Sequence, residues 1–388
     1  MPSSLPSAIG SPLSEPPKKK CRRCANDQLD RFNMIFANPL ERCKYKKELQ
    51  TLFFFQCFTV DAIIGSGSFG DVVSVTSKAS GKHSAVKISK KQISSRSKYE
   101  ELLREVRIHE TIPPHTNIVR FEAAWSESRV IFAQTELCVS NLSTFHKSPL
   151  FTNALLVHAI HDCVSGVHHL HASRILHVDL KPENIFVSAK GVCKIGDFGI
   201  AIKKGENLRG DFDGDGRYLP LDLLNGAPSE KTDVYSLSMT FLEIALGIEI
   251  PREFEERKKL CASVPLKAKL RSLGREELFG LIRPGLSSDP QKRPATSQVL
   301  NLARILVSRH GERPNISWIL DTKISALAVV NRLPPAFRTP KKESPKLVEA
   351  FATPDFDSSP KMMSKTEPRS KLRKIPIDWG HLDKLDLK

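Results

Sequence analysis

The stretch His177-Val178-Asp179-Leu180-Lys181-Pro182-Glu183-Asn184 decides the reading of this chain, together with Asp197-Phe198-Gly199 thirteen residues after Asn184. Two loops at this spacing bring together a lone carboxylate, an ammonium, a carboxamide and a second carboxylate. Asp179 can take a proton from a hydroxyl. Asn184 and Asp197 can hold two magnesium ions. Lys181 can balance charge on a phosphoryl group in transit.

These residues resemble the catalytic loop and magnesium motif of eukaryotic protein kinases. Upstream, Phe58 to Ile64 reads as a strand, followed by Gly65-Ser66-Gly67-Ser68-Phe69-Gly70-Asp71-Val72. Glycines at these positions let backbone amides approach phosphates. The apolar residues Val72, Val73 and Val75 continue as a strand, not a helix, which favours a kinase hairpin over a dinucleotide fold. Ser84 to Ile88 is the next strand, and its Lys87 matches the family lysine that bridges the α- and β-phosphates. Helical periodicity over 98–110 places Leu102, Leu103, Val106 and His109 on one stripe. Glu105 matches the family's ion-pair partner for Lys87, with Glu101 and Glu110 as competitors. Val130 to Glu136 reads as a strand leading into a hinge, Gln134-Thr135-Glu136-Leu137-Cys138. The resemblance puts Thr135 behind an adenine pocket and the backbone of Glu136 and Cys138 on the adenine edge. Ile64, Gly65, Ser66, Gly67, Gly70, Val72, Ala85, Lys87, Glu105, Thr135, Glu136 and Cys138 are the expected ATP-binding set. Asp179 and Lys181 are the expected catalytic pair, with magnesium on Asn184 and Asp197.

Length and composition agree with this. One kinase-sized unit of about 250–300 residues fits within 388 and leaves two tails. The expected fold is α+β and bilobal, a small β-rich lobe with one key helix (51–137) on a larger helical lobe (138–310). Basic residues 1–50 and an extension over 311–388 are expected to be mostly disordered. The net charge of +16 is compatible with nucleic acid, an anionic membrane or an acidic protein. No nucleic-acid motif accompanies it, so no nucleic-acid partner is expected. Cys21 and Cys24 form one C-x-x-C without a second pair at zinc spacing. Reduced thiols in the cytosol or nucleus are expected. The N-terminal residues have no apolar core of a signal peptide, and no run reaches the ~18 apolar residues that cross a bilayer. Ile316 to Val330 is the nearest candidate and is interrupted by Asp321 and Lys323.

A helix over 153–171 carries His158, His161, His168, His169 and His171, read as packing and surface imidazoles. The segment from Asp197 to Asp222 resembles a kinase activation segment. Asp222 stands where the family has glutamate, with Arg293 as its expected buried partner. Asp233 resembles the aspartate that braces the catalytic loop. Asp215 stands where many kinases have threonine and is expected to act as a fixed anion. His-Val-Asp replaces the usual His-Arg-Asp, which implies activity without activation-loop phosphorylation. Thr339-Pro340, Ser344-Pro345, Thr353-Pro354 and Ser359-Pro360 are expected proline-directed phosphorylation sites.

The segments FFFQCF, QTELC, HVDLKPENIF and CKIGDFG look most like the Wee-type kinases, in particular their membrane-associated Myt branch. The resemblance implies transfer of the ATP γ-phosphate to Thr and Tyr in the glycine-rich loop of a cyclin-dependent kinase bound to its cyclin, restraining entry into M phase. It also implies residence in cytoplasm or nucleus, with peripheral contact to Golgi or endoplasmic-reticulum membrane through the basic tails or Ile316 to Val330. A monomer is expected. Two alternatives are an active kinase for another substrate, such as an initiation factor, and a pseudokinase scaffold. The intact Lys87, Asp179, Asn184 and Asp197 argue against the last.

Overall fold

The computed structural model describes residues 33–36, 46, 52–66, 70–89, 96–127, 130–206 and 214–316. The expectations for Cys21 and Cys24, Gly67, the Thr-Pro and Ser-Pro sites and 317–330 lie outside the described residues.

The N-terminal part is a six-stranded antiparallel sheet. Its strands are β1 (Asn33–Phe36), β2 (Phe58–Ser66), β3 (Gly70–Ser77), β4 (His83–Ser89), β5 (Phe121–Glu127) and β6 (Val130–Glu136), in the order β1-β5-β6-β4-β3-β2. Sequential hairpins make β2, β3 and β4 neighbours. β1 pairs with β5 and lies N-terminal to the domain boundary expected at residue 51. Gly70 is required by the sheet whatever it binds, because a Cβ there would sit 2.3 Å from the Ile88 carbonyl oxygen.

One short helix was not anticipated. Phe53–Cys57 forms α1, whose first amides have no partner within the helix. Glu127 supplies the partners: its carboxylate accepts Phe53 N at 2.7 Å, Phe54 N at 3.1 Å and Trp125 Nε1 at 2.9 Å. Phe53, Phe54, Phe58, Trp125 and Phe132 then pack as one buried aromatic cluster. The Trp125 and Phe132 rings stack at 5.2 Å between centroids. Helix α2 (Arg96–Thr111) packs on β5 and carries Glu105 and His109.

The C-terminal part is helical around a second core. After β7 (Ser140–Asn141) and α3 (Leu142–Phe145) comes α4 (Asn153–Ala172), capped by Thr152 Oγ1 on Leu155 N at 3.3 Å. Gly166 lets α4 press on the loop beneath the sheet, since a Cβ there would meet the Asn117 oxygen at 2.6 Å. Short strands β8 (Ile175–Leu176), β9 (Ile185–Val187), β10 (Cys193–Ile195) and β11 (Ile202–Lys203) frame the two motif loops. Helix α5 (Glu230–Leu246) is buried nearly all round, as its continuous apolar sequence requires, and starts in a Ser229–Thr232 capping box. Then follow α6 (Phe254–Leu260), α7 (Ser263–Ser272), α8 (Phe279–Gly285) and α9 (Thr296–His310). Among the described residues no helix is long and apolar enough to cross a membrane.

Candidate active site

The first motif loop runs between β8 and β9, and the second follows β10. Antiparallel pairing of β9 with β10, Ile195 opposite Ile185, brings them side by side. Gly196 N donates to Asn184 O at 3.0 Å, and His177 Nε2 lies 3.0 Å from Gly196 O. Asp179 N donates to His177 Nδ1 at 3.3 Å, so Nε2 carries the proton and donates to the carbonyl before Asp197. One neutral imidazole thus joins both loops.

Within the first loop, Asp179 Oδ2 accepts Lys181 Nζ and Asn184 Nδ2, each at 2.7 Å. Asn184 Nδ2 also reaches Asp179 O at 2.9 Å. The carboxamide nitrogen is therefore committed to Asp179, and Oδ1 is the atom Asn184 can offer a cation. Asp233, fully buried at the start of α5, accepts His177 N at 3.0 Å, Val178 N at 2.8 Å and His171 Nε2 at 2.8 Å. Burial pushes the Asp233 carboxyl up, but the bond from His171 and the backbone amides outweigh it and hold it low.

Lys87 Nζ lies 2.6 Å from Glu105 Oε1 and 3.6 Å from Asp197 Oδ1. The structure thus brings Glu105 to Lys87; the side chain of Glu101 is outside the described residues. Burial lowers the Lys87 ammonium, but Glu105 and Asp197 together raise it above the ordinary lysine value. Asp197 is pushed up by burial and brought below the usual carboxylate range chiefly by Lys87. Both therefore stay charged at neutral pH.

Across the sheet, Ala85 pairs with Thr135 and Lys87 with Ala133, so β4 and β6 hold the expected adenine-pocket residues in one register. Ile64 sits at an irregularity of β2 and is part-exposed beside Gly65, which pairs with Val72. Ser66 Oγ donates to Asp71 Oδ1 at 2.7 Å across the mouth of the hairpin. Thr135, Glu136 and Cys138 are half-buried. The Glu136 carboxylate is taken by Arg120 N at 2.7 Å and Lys194 Nζ at 2.9 Å, which ties the hinge to β10. Burial pushes the Cys138 thiol up to about 12, so it is not a ready nucleophile.

Arg293 is buried and holds Asp222 through both terminal nitrogens, Nη1 at 3.2 Å, with the Asp222 side chain 28% exposed. Asp215 is not a free anion. Arg217 grips it through Nε at 3.0 Å and Nη2 at 2.6 Å, so its charge is matched two residues away. The α4 histidines reach separate partners: His158 the Gly311 oxygen, His168 Thr296, His169 the Pro113 oxygen, His171 Asp233. His161 lies 3.7 Å from Asp162.

Sequence reading missed a cluster of tilted rings behind the site. Phe198 lies against His109 at 4.6 Å and His177 at 5.3 Å between centroids, and His109 continues to Phe121 at 5.4 Å. His109 Nε2 donates to Val119 O at 2.7 Å, and burial drives its pKa to about 4. One signal was available: His109 lies one helical turn after Glu105 and therefore on the same face.

The family described as "Protein kinase domain" matches residues 58–303. A membrane-associated tyrosine- and threonine-specific cdc2-inhibitory kinase of Caenorhabditis elegans, wee-1.3, is 36% identical over 269 residues, which is 68% of this chain and 39% of that protein. The membrane-associated tyrosine- and threonine-specific cdc2-inhibitory kinase of Drosophila melanogaster is 31% identical, over 68% of this chain and 51% of its own length. A Wee1-like protein kinase of Arabidopsis thaliana is 30% identical, over 61% and 47%. The chain thus spans about half or less of the length of these relatives. Residues 58–303 hold both motif loops, the Lys87–Glu105 pair and the Asp233 brace in one domain: the chain belongs to the protein kinase domain family, with Wee-type and Myt-type kinases among its relatives.

Proposed function

We propose that this chain transfers the γ-phosphoryl group of ATP to hydroxyls of a protein substrate. The observation that carries the reading is the Asp179 carboxylate, oriented by Lys181 and Asn184 on a loop tied to the one that presents Asp197 beside Lys87. Lys87, held by Glu105, positions the ATP phosphates. Asp179 orients the acceptor hydroxyl and receives its proton. Lys181, already on Asp179, offsets charge on the phosphoryl oxygens as the bond to the leaving oxygen lengthens. The Asn184 carboxamide oxygen and the Asp197 carboxylate are hard oxygen donors, the set that suits magnesium. When bound there, magnesium would neutralise phosphate charge. Most of the rate enhancement then comes from positioning and electrostatics, because the transition state is loose.

The substrate we infer is a cyclin-dependent kinase in complex with its cyclin, modified on Thr and Tyr of its glycine-rich loop. Two relatives carry cdc2 inhibition with tyrosine and threonine specificity in their names, which supports this choice. Incubating the purified chain with Mg-ATP and a catalytically dead cyclin-dependent kinase, then mapping modified residues by mass spectrometry, tests both levels. Phosphate on the glycine-rich loop is expected. Phosphate elsewhere would remove the substrate assignment, and none on any protein acceptor would remove the activity.

A further inference from the structure

The described chain does not leave the fold at the end of α9. Residues 311–316 turn back along α4, beyond the last residue of the family match and past the boundary expected at 310. Gly311 O accepts from His158 Nε2 at 3.2 Å. Arg313 Nη1 donates to Gly191 O and Nη2 to Asp162 Oδ1, each at 2.8 Å. Ile316 is buried against Gly191, where a Cβ would come within 2.9 Å of its Cγ1.

Asp162 is the pivot. It is 3% exposed on α4, and its other oxygen accepts Cys193 N at 2.9 Å. Cys193 opens β10, and Asp197 follows four residues later. The same edge of that short strand is held by Asn117, whose Nδ2 donates to Cys193 O at 3.1 Å and whose carbonyl accepts Ile195 N at 2.8 Å, while its other edge pairs with β9. Arg313 is the permanent cation on Asp162; the only other cationic group within 4 Å among the described residues is His161, at 3.7 Å and charged only when protonated. A buried carboxylate stripped of its charge partner takes up a proton or turns toward water. Either change weakens its hold on the Cys193 amide.

We propose that Arg313 is a positioning residue for the phosphoryl-transfer site, acting through Asp162 on the strand that delivers Asp197. This inference rests on the role given to Asp197 above. It places a determinant of the site in a segment that a cut at the end of the family match would remove.

The test is amide hydrogen exchange on the full chain without nucleotide, alongside calorimetric titration of ATP with and without Mg2+. In Arg313→Ala, amides of Cys193 to Asp197 should exchange at least about tenfold faster, while those of α5 stay at wild-type rates. The Mg2+-dependent gain in ATP affinity should fall severalfold, and Arg313→Lys should recover most of both effects. Should Arg313→Ala not fold, Asp162→Asn, which keeps the arginine and the shape, carries the same local expectation. Equal acceleration in α5 would reduce Arg313 to a general stabiliser and overturn the proposal. So would unchanged exchange at Cys193 to Asp197, or an unchanged Mg2+-dependent ATP affinity. Exchange needs no turnover, so a wild-type chain that phosphorylates nothing would count against the proposed function and not against this coupling.

Discussion

Asp233 accepts the Val178 amide at 2.8 Å, and Val178 stands at φ 65°, a left-handed conformation that a β-branched residue rarely adopts. The strain is held by the buried carboxylate, which also takes the His177 amide and the His171 imidazole. Val178 itself is fully buried with Leu176 and Ile202, so an apolar side chain fills a place where most kinases have arginine. Among the described residues, this loop is tied to α5 through the His177 and Val178 amides on Asp233.

Asp233→Asn replaces one charged acceptor oxygen by a donor facing backbone N–H groups. Each charge-assisted bond of this kind contributes ~1.5–3 kcal/mol. Denaturant unfolding should show a loss in that range, and kcat should fall with it because Asp179 is displaced. An unchanged kcat would show that the brace is not needed for the loop.

Asp179→Asn should leave nucleotide binding close to wild type and reduce transfer by roughly 10²–10⁴, the usual contribution of a general base. Single-turnover phosphorylation with ATP affinity measured in parallel checks this. Turnover equal to wild type would remove Asp179 from the chemistry.

Lys87→Met leaves part-buried Glu105 and the 42% exposed Asp197 facing each other without the cation that now sits between them. kcat/KM for ATP should drop by about 10²-fold or more. Glu105→Gln keeps a hydrogen-bond acceptor for Lys87 and should cost less, on the order of tenfold. A larger loss in Glu105→Gln than in Lys87→Met would contradict the order of importance argued here.

His109 gives a pH signature. Its pKa falls from an ordinary 6.5 to about 4 on folding, so between these values the unfolded chain binds more protons than the folded one. Stability is then fully present above pH 6.5 and is lost as pH falls toward 4. Because the unfolded imidazole is half protonated at pH 6.5, the slope reaches its full ~1.4 kcal/mol per pH unit only below that, and the group accounts for about 1.6 kcal/mol between pH 6.5 and pH 5. Urea unfolding at these two pH values should show a difference in wild type that exceeds the one in His109→Leu by this amount, since His146, also lowered to about 4, contributes to both chains alike. Identical pH dependence in both chains would mean that His109 does not titrate on unfolding.

The elements of the site were legible because each is a local pattern. Alternating apolar residues define β2, β3, β4 and β6, a helical stripe defines α2, and the motif loops are contiguous in sequence. The aromatic run at Phe53–Phe55 was visible only as apolar density. Its helix forms because Glu127, more than seventy residues away, satisfies its first amides. Asp215 was legible as a negative charge, but its neutralisation by Arg217 depends on how the backbone turns between them.

By itself, the amino-acid sequence determined which groups this chain brings to the chemistry: the carboxylates, the lysines, the carboxamide and the glycines, with spacings that place them on successive strands and loops. Tertiary structure alone decided their state. The left-handed turn at Val178, the neutral His109, the single proton on His177 and the reach of Arg313 into Asp162 all depend on burial and on partners distant in sequence. Desolvation and directional hydrogen bonds are set by what surrounds a group in space, and no run of neighbouring residues encodes that.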